Sequence, residues 1–331
     1  MLRIFKSNTP INYLVVFFVM LVLWAYKFIV MPPAVDTGGM QSYFFRLSYE
    51  SSTFQYIFTI FAFALAFGFA CYTSKENFQY QIVDSGYQFP ALIFAMLTGS
   101  AINAQRCIPE MVASIFVALS VLRTFGTYNK QEAIKNCLDA GFLLGIAVIF
   151  AYKYILLLPA IIVIIFIVKP VSWRDLASIF ISFLLVVGIA ACLVWLYGNW
   201  DEMISSIKQE STKLILGEKY NKTNYLFQIP LFFSIITSLL STFMLKVSRK
   251  TSEMKFHISM LFLLIYNSLL WTSPLMSNES VWLIYFPLCY LLTNVIVNTK
   301  RKYISYIVFY GLIFSLIMTQ VLQVMYYNSI F

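Results

Sequence analysis

A chain of 331 residues that is 60% hydrophobic and only 11% charged cannot hide its apolar surface in a water-soluble fold, so lipid is the solvent for most of it. The net charge of +9 would suit a nucleic-acid partner in a soluble protein; here it reads as cytoplasmic Lys and Arg beside membrane spans, with no nucleic acid implied. Five cysteines (71, 107, 137, 192 and 289) show no CxxC and no metal spacing, which excludes a zinc centre and a disulfide framework.

The chain opens on the basic stretch MLRIFKSNTP and the apolar run 11–31, INYLVVFFVMLVLWAYKFIVM. No small-residue cleavage site follows, so the run reads as a signal anchor and first span. Further apolar segments lie at 54–72, 87–102, 109–123, 138–152, 154–168, 176–197, 226–246, 256–273, 280–298 and 303–327. The expected fold is therefore all-α: a polytopic transmembrane helix bundle of about 11 spans, forming one integral membrane domain over 1–331. A spanning helix needs about 20 residues. The third to sixth segments are nearer 15, so their helices extend into polar flanks, tilt, kink at Pro159, or pair as a re-entrant element. Two connecting stretches, 32–53 and 198–225, are long enough for interfacial helices. In the second, Met203, Ile204, Ile207, Leu214 and Ile215 recur near helical spacing.

Basic residues set the orientation. With a cytoplasmic N-terminus, the inner loops hold Arg3, Lys6, Lys75, Arg123, Lys130, Lys135, Lys169, Arg174, Lys246, Arg249, Lys250, Lys255, Lys300, Arg301 and Lys302. The outer loops hold Arg46, Arg106, Lys153, Lys208, Lys213, Lys219 and Lys222. This asymmetry places the N-terminus inside and the C-terminus outside.

On the outer side, NAQRCIPE (103–110) is a tight turn that sets Pro109 at the first position of a helix and Glu110 at the second, facing the positive end of the helix dipole. Arg106, four residues earlier, could pair with Glu110. Asp36 follows the first span in MPPAVDTGG, and Lys153 sits in the hairpin FAYKYILLLP. Two carboxylates and two cations thus come from separate helix ends at one surface. Such acids can bind a divalent metal or act as a general base, and such cations can hold a phosphate. Elsewhere, Gly141 and Gly145 in DAGFLLGIA form a small-xxx-small packing face, and Asp139 is expected to cap that helix. Trp173 and Arg174 read as an interfacial anchor, and His257, the one histidine, as an interfacial residue. No Lys, Arg, Asp or Glu lies in the middle of the confident spans, which argues against a coupled ion pump.

The stretches RCIPEMVASIFVALSVLRTF and LDAGFLLGIAVIFAYKYILLLPAIIVIIFIVKPVSWRDL resemble an uncharacterised family of multi-pass bacterial inner-membrane proteins, KPVSWRD (169–175) being the most specific piece. More remotely, the order of features is similar to the GT-C superfamily of polyprenyl-phosphate-sugar glycosyltransferases. The matching positions are Asp36, Glu110, Gly141 with Gly145, Lys153, and Trp173 with Arg174. That resemblance implies Asp36 as base or metal ligand and Glu110 as a metal or acceptor contact. It also implies Arg106 or Lys153 as the holder of a lipid phosphate, and a divalent metal as the one candidate cofactor. The first outer loop is shorter than many of those enzymes use, and no soluble C-terminal domain is visible. The expected function is a glycosyltransferase-like role in the bacterial cell envelope on a polyprenyl-phosphate-linked sugar. The alternatives are a non-enzymatic membrane subunit of envelope biogenesis, or a lipid or polysaccharide flippase or polymerase.

Overall fold

A computed structural model of the protein describes residues 10–30, 52–83, 88–100, 105, 109–130, 132–197, 200–201, 204–205, 235–237, 251–272, 278–299 and 302–330. The α-helices, in chain order, are α1 (Pro10–Val30), α2 (Ser52–Tyr80), α3 (Phe89–Thr98), α4 (Pro109–Phe125), α5 (Ile134–Phe150), α6 (Leu158–Val168), α7 (Trp173–Leu196), α8 (Thr251–Thr272), α9 (Trp282–Asn298) and α10 (Lys302–Ile330). Two 3-10 helices, Tyr152–Leu157 and Asn278–Val281, lead into α6 and α9. Among the described residues there is no strand, so the all-α expectation holds. Asp36, Arg106 and the expected interfacial helices lie outside the described residues, apart from 200–201 and 204–205, which are helical.

Among the described residues, four helical stretches are long and apolar enough to cross a membrane: Tyr56–Tyr80, Trp173–Leu196, Thr251–Trp271 and Tyr303–Leu322. The described structure therefore supports a membrane protein without establishing eleven spans. Helix and apolar run are different things, because backbone hydrogen bonding continues wherever the next residues tolerate it. α2 runs past its apolar stretch through Lys75 and Glu76 to Tyr80. There Gln81 takes the left-handed conformation (φ 51°) that ends helices, and Asn77 Oδ1 accepts from the Val83 N–H at 2.9 Å. α5 begins at Ile134, not beside Asp139, which lies inside the helix and caps nothing; Ala133 holds the N-cap position. α3 is the opposite case. Its ten residues, all buried, rise only about 15 Å.

The core is built around α3 and α9, which are buried almost throughout. Phe69 of α2 joins both: it lies 5.2 Å from Phe94 of α3, edge to face, and 6.2 Å from Phe286 of α9, while Phe286 and Tyr290 meet edge to face at 5.6 Å within α9. Such pairs add to the burial energy because the positive ring edge meets a negative face. Tyr290 also donates its hydroxyl to the Thr73 carbonyl at 2.9 Å.

Prolines in an apolar interior leave carbonyls without donors, and α8 supplies two replacements. Pro287 lies inside α9 and has no N–H for the Leu283 carbonyl; the Asn267 side chain donates there at 2.9 Å. Pro159 opens α6 instead of kinking a longer span. The Leu156 carbonyl, three residues before it, accepts the Tyr266 hydroxyl at 2.6 Å. Neighbours on α8 thus cap the two proline-disrupted segments packed against it. Asn267→Leu is expected to cost about 2 kcal/mol, the cost of an unmet buried carbonyl. In a Pro287→Ala background, where a main-chain N–H returns, the same change should cost much less. Equal losses in both backgrounds, measured by unfolding in detergent, would remove this account.

Small residues set the closest helix contact. A Cβ on Gly141 would stand 2.2 Å from Ser182 Oγ and 2.3 Å from the Ile179 carbonyl oxygen. One on Gly145 would stand 2.8 Å from Val186 Cβ. α5 and α7 therefore meet backbone to backbone across the small-xxx-small face. α7 opens on a capping box: Ser172 Oγ accepts from the Asp175 N–H, and the Asp175 carboxylate accepts from the Ser172 N–H. Lys169 reaches the same carboxylate at 2.7 Å, a nearly buried pair that closes the KPVSWRD turn. Trp173 is 81% exposed beside it, as an interfacial anchor would be.

Candidate functional site

The helices alternate so that their ends gather in two groups. One end carries the charge expected of a cytoplasmic face. There Lys255 donates to the last carbonyl of α6, Val168, at 2.8 Å and lies 5.5 Å from the Tyr128 ring centre, while Tyr128 and Thr251 share a hydrogen bond of 3.1 Å. Arg123, Lys130, Lys169 and Arg174 belong to the α4–α5 and α6–α7 turns at this end. His257 meets Asn294 here at 2.9 Å, a contact between α8 and α9.

The opposite end carries the candidate site. Pro109 begins α4, with Glu110 second, as the residue pattern requires. α5 stops at Ala151, whose extended backbone (φ −147°, ψ 97°) turns the chain into the tighter 3-10 helix. That turn brings Lys153 and Tyr154 against the start of α4. Lys153 Nζ lies 3.2 Å from Glu110 Oε1, and their side chains are 4% and 2% exposed. The Tyr154 hydroxyl donates to the Glu110 main-chain carbonyl at 3.1 Å. One short segment therefore holds both the carboxylate and the backbone of Glu110.

Of the four candidate residues, the structure brings Glu110 and Lys153 together; Asp36 and Arg106 fall outside the described residues. The Arg106–Glu110 pairing suggested by the spacing involves a residue outside the described ones, while the structure shows Lys153 against Glu110. The pairing with Lys153 links residues 43 apart and depends on the antiparallel packing of α4 and α5. The Tyr154 contact was not legible either, since tyrosine beside lysine at a helix end also reads as an interfacial anchor.

The pair constrains the chemistry. A buried carboxylate and a buried ammonium offset part of each other's desolvation cost. A divalent cation at Glu110 would have to share the carboxylate with an ammonium 3.2 Å away. Among the described residues, no group of three or more His, Cys, Asp and Glu side chains could hold a metal ion. Glu110 in this arrangement does not fit a metal ligand, and no step below uses a metal.

Further polar groups gather where α3 ends. Ser100 Oγ and the Tyr285 hydroxyl share a hydrogen bond of 2.8 Å. Gln320 Nε2 donates to the Leu23 and Gly99 carbonyls at 2.9 and 3.0 Å. Gln105 Nε2 donates to the Thr98 and Leu23 carbonyls at 3.2 and 3.4 Å. Helices leave their last carbonyls without donors, and in an apolar interior such groups need partners. The two glutamines supply them for α3. Neither figured among the sequence candidates, because an uncharged amide beside an apolar segment carries no signal by itself. Comparison with family models, curated proteins and solved structures finds no match for this chain.

Proposed function

We propose that this protein is a GT-C-like transferase of the bacterial inner membrane that takes a sugar from a polyprenyl-phosphate carrier for the cell envelope. The supporting observation is the buried Glu110–Lys153 pair at the less basic end of the bundle. Apolar residues packed in its place often give equal or greater stability, so an ion pair buried in a lipid-embedded chain supports a functional reading. On this reading an acceptor hydroxyl attacks the anomeric carbon and its proton passes to Asp36 as general base. The bond from that carbon to the phosphate oxygen breaks. The departing polyprenyl phosphate keeps the electron pair, and Lys153 and Arg106 neutralise its charge. Glu110 holds Lys153 in place and faces the acceptor.

Asp36→Asn is expected to lower sugar transfer by at least about 100-fold, the usual contribution of a general base, without loss of folded protein. Lys153→Met with Glu110→Gln should abolish transfer while keeping the charge balance of the core. The readout is release of polyprenyl phosphate by the reconstituted protein, paired with complementation of a deletion strain. Full activity in both variants sinks the catalytic reading. It would then favour the alternative of a non-enzymatic membrane subunit, which mutual satisfaction of the two charges also suits.

The same reading puts the basic end in the cytoplasm and the C-terminus outside. In a background without other cysteines, one at position 329 should react with an impermeant thiol reagent in intact cells. Protection at 329 together with labelling at 300 reverses the orientation.

A further inference from the structure

Gln105 is fully buried, and its amide is divided between two tasks. Nε2 has two hydrogens and two acceptors, the carbonyls of Thr98 at 3.2 Å and Leu23 at 3.4 Å. That places the nitrogen toward α1 and the end of α3, and turns the side-chain oxygen away from them. Among the described residues, Oε1 is buried without a hydrogen-bond partner. It is a held, oriented acceptor that lacks a donor.

Its place in the fold is specific. Leu23 lies seven residues before the last residue of α1, so this level is about 10 Å inside the end of that helix. α3 stops at the same level, where Gln320 from α10 caps Gly99 and Leu23. Helices that end inside an apolar bundle, with polar side chains around the break, are where membrane proteins handle polar ligands. A neutral amide oxygen can accept from an uncharged donor without bringing a charge into the apolar interior, and a hydroxyl is such a donor.

We infer that Gln105 is a specificity residue whose Oε1 accepts a hydrogen bond from a sugar hydroxyl of the carrier-linked substrate. This rests on the proposed function and adds to it a reader of the sugar distinct from the charged residues that meet the phosphate. An ordered water offers the same chemistry, and the test separates the two.

The full-length protein in lipid nanodiscs, free of sugar-based detergent, is titrated with two probes: a polyprenyl monophosphate, and the same lipid phosphate carrying one hexose. The wild type is expected to bind the hexose lipid about tenfold more tightly, as one well-placed hydrogen bond allows. Gln105→Met should remove that preference and leave affinity for the bare lipid unchanged. An unchanged preference in Gln105→Met assigns the acceptor to an ordered water and overturns the inference. So does the absence of any preference in the wild type, a result that needs no variant to fold. Binding of neither lipid overturns the proposed function itself, whereas binding of both with equal affinity overturns only the role of Gln105.

Discussion

Lys153→Met is expected to destabilise the protein by about 3–5 kcal/mol, the usual cost of removing one member of a buried ion pair. The change deprives Glu110 of an ammonium at 3.2 Å while its carboxylate stays 2% exposed. Little water is there to replace the lost partner, and the methionine keeps most of the lysine stem's volume. Adding Glu110→Gln should restore most of the loss, because the amide is neutral and close in shape to the carboxylate. A double-mutant cycle read by chemical unfolding in detergent would show a coupling of about 2 kcal/mol or more. Additive losses would mean that the two charges are solvated independently, and the site as described would be wrong. The stability cycle is separate from activity: the double variant should be well folded and inactive if the proposed function holds, and well folded and active if the pair is structural.

Gly141→Ala should be the most damaging methyl group added along the α5–α7 seam. The new Cβ would meet the Ile179 carbonyl oxygen at 2.3 Å and Ser182 Oγ at 2.2 Å. A serine side chain can rotate, but a backbone carbonyl within α7 cannot, so the two helices must part. Overpacking of this kind costs about 3 kcal/mol. Parting the helices would also loosen the Gly145–Val186 contact one turn along. Gly145→Ala should cost less, since its closest contacts are atoms of the Val186 side chain. Gly188→Ala provides the control. Nothing lies within 4 Å of its built Cβ, and alanine is better than glycine within a helix by about 1 kcal/mol. The order Gly141, Gly145, Gly188 in thermal unfolding tests the packing directly. A neutral Gly141→Ala would show that α5 and α7 do not meet as described.

The amino-acid sequence by itself determined the solvent, the helical class and the starts and stops that depend on local chemistry. Sixty per cent apolar residues demand lipid. Pro109 followed by Glu110 favours a helix start, and Ser172 with Asp175 forms a capping box from positions three apart. The glycines at 141 and 145 identify a close-packing face because their four-residue spacing puts both on one side of a helix. Hydropathy was less informative about helix ends. It records where apolar residues stop, while α2 and α5 continue into polar residues whose backbones still bond.

Only the tertiary structure decided which residues meet. Glu110 finds Lys153 because the α5 chain turns at Ala151 and packs antiparallel to α4. Nothing local marks Lys153, 43 residues away, as a partner of Glu110. The Leu283 carbonyl is orphaned by a proline that the sequence displays, but its replacement donor comes from Asn267 on another helix. Gln105 and Gln320 converge on Leu23 from segments 82 and 297 residues away from it. Such contacts come from packing, which joins residues by position in space, so a pattern running along one chain carries no record of them.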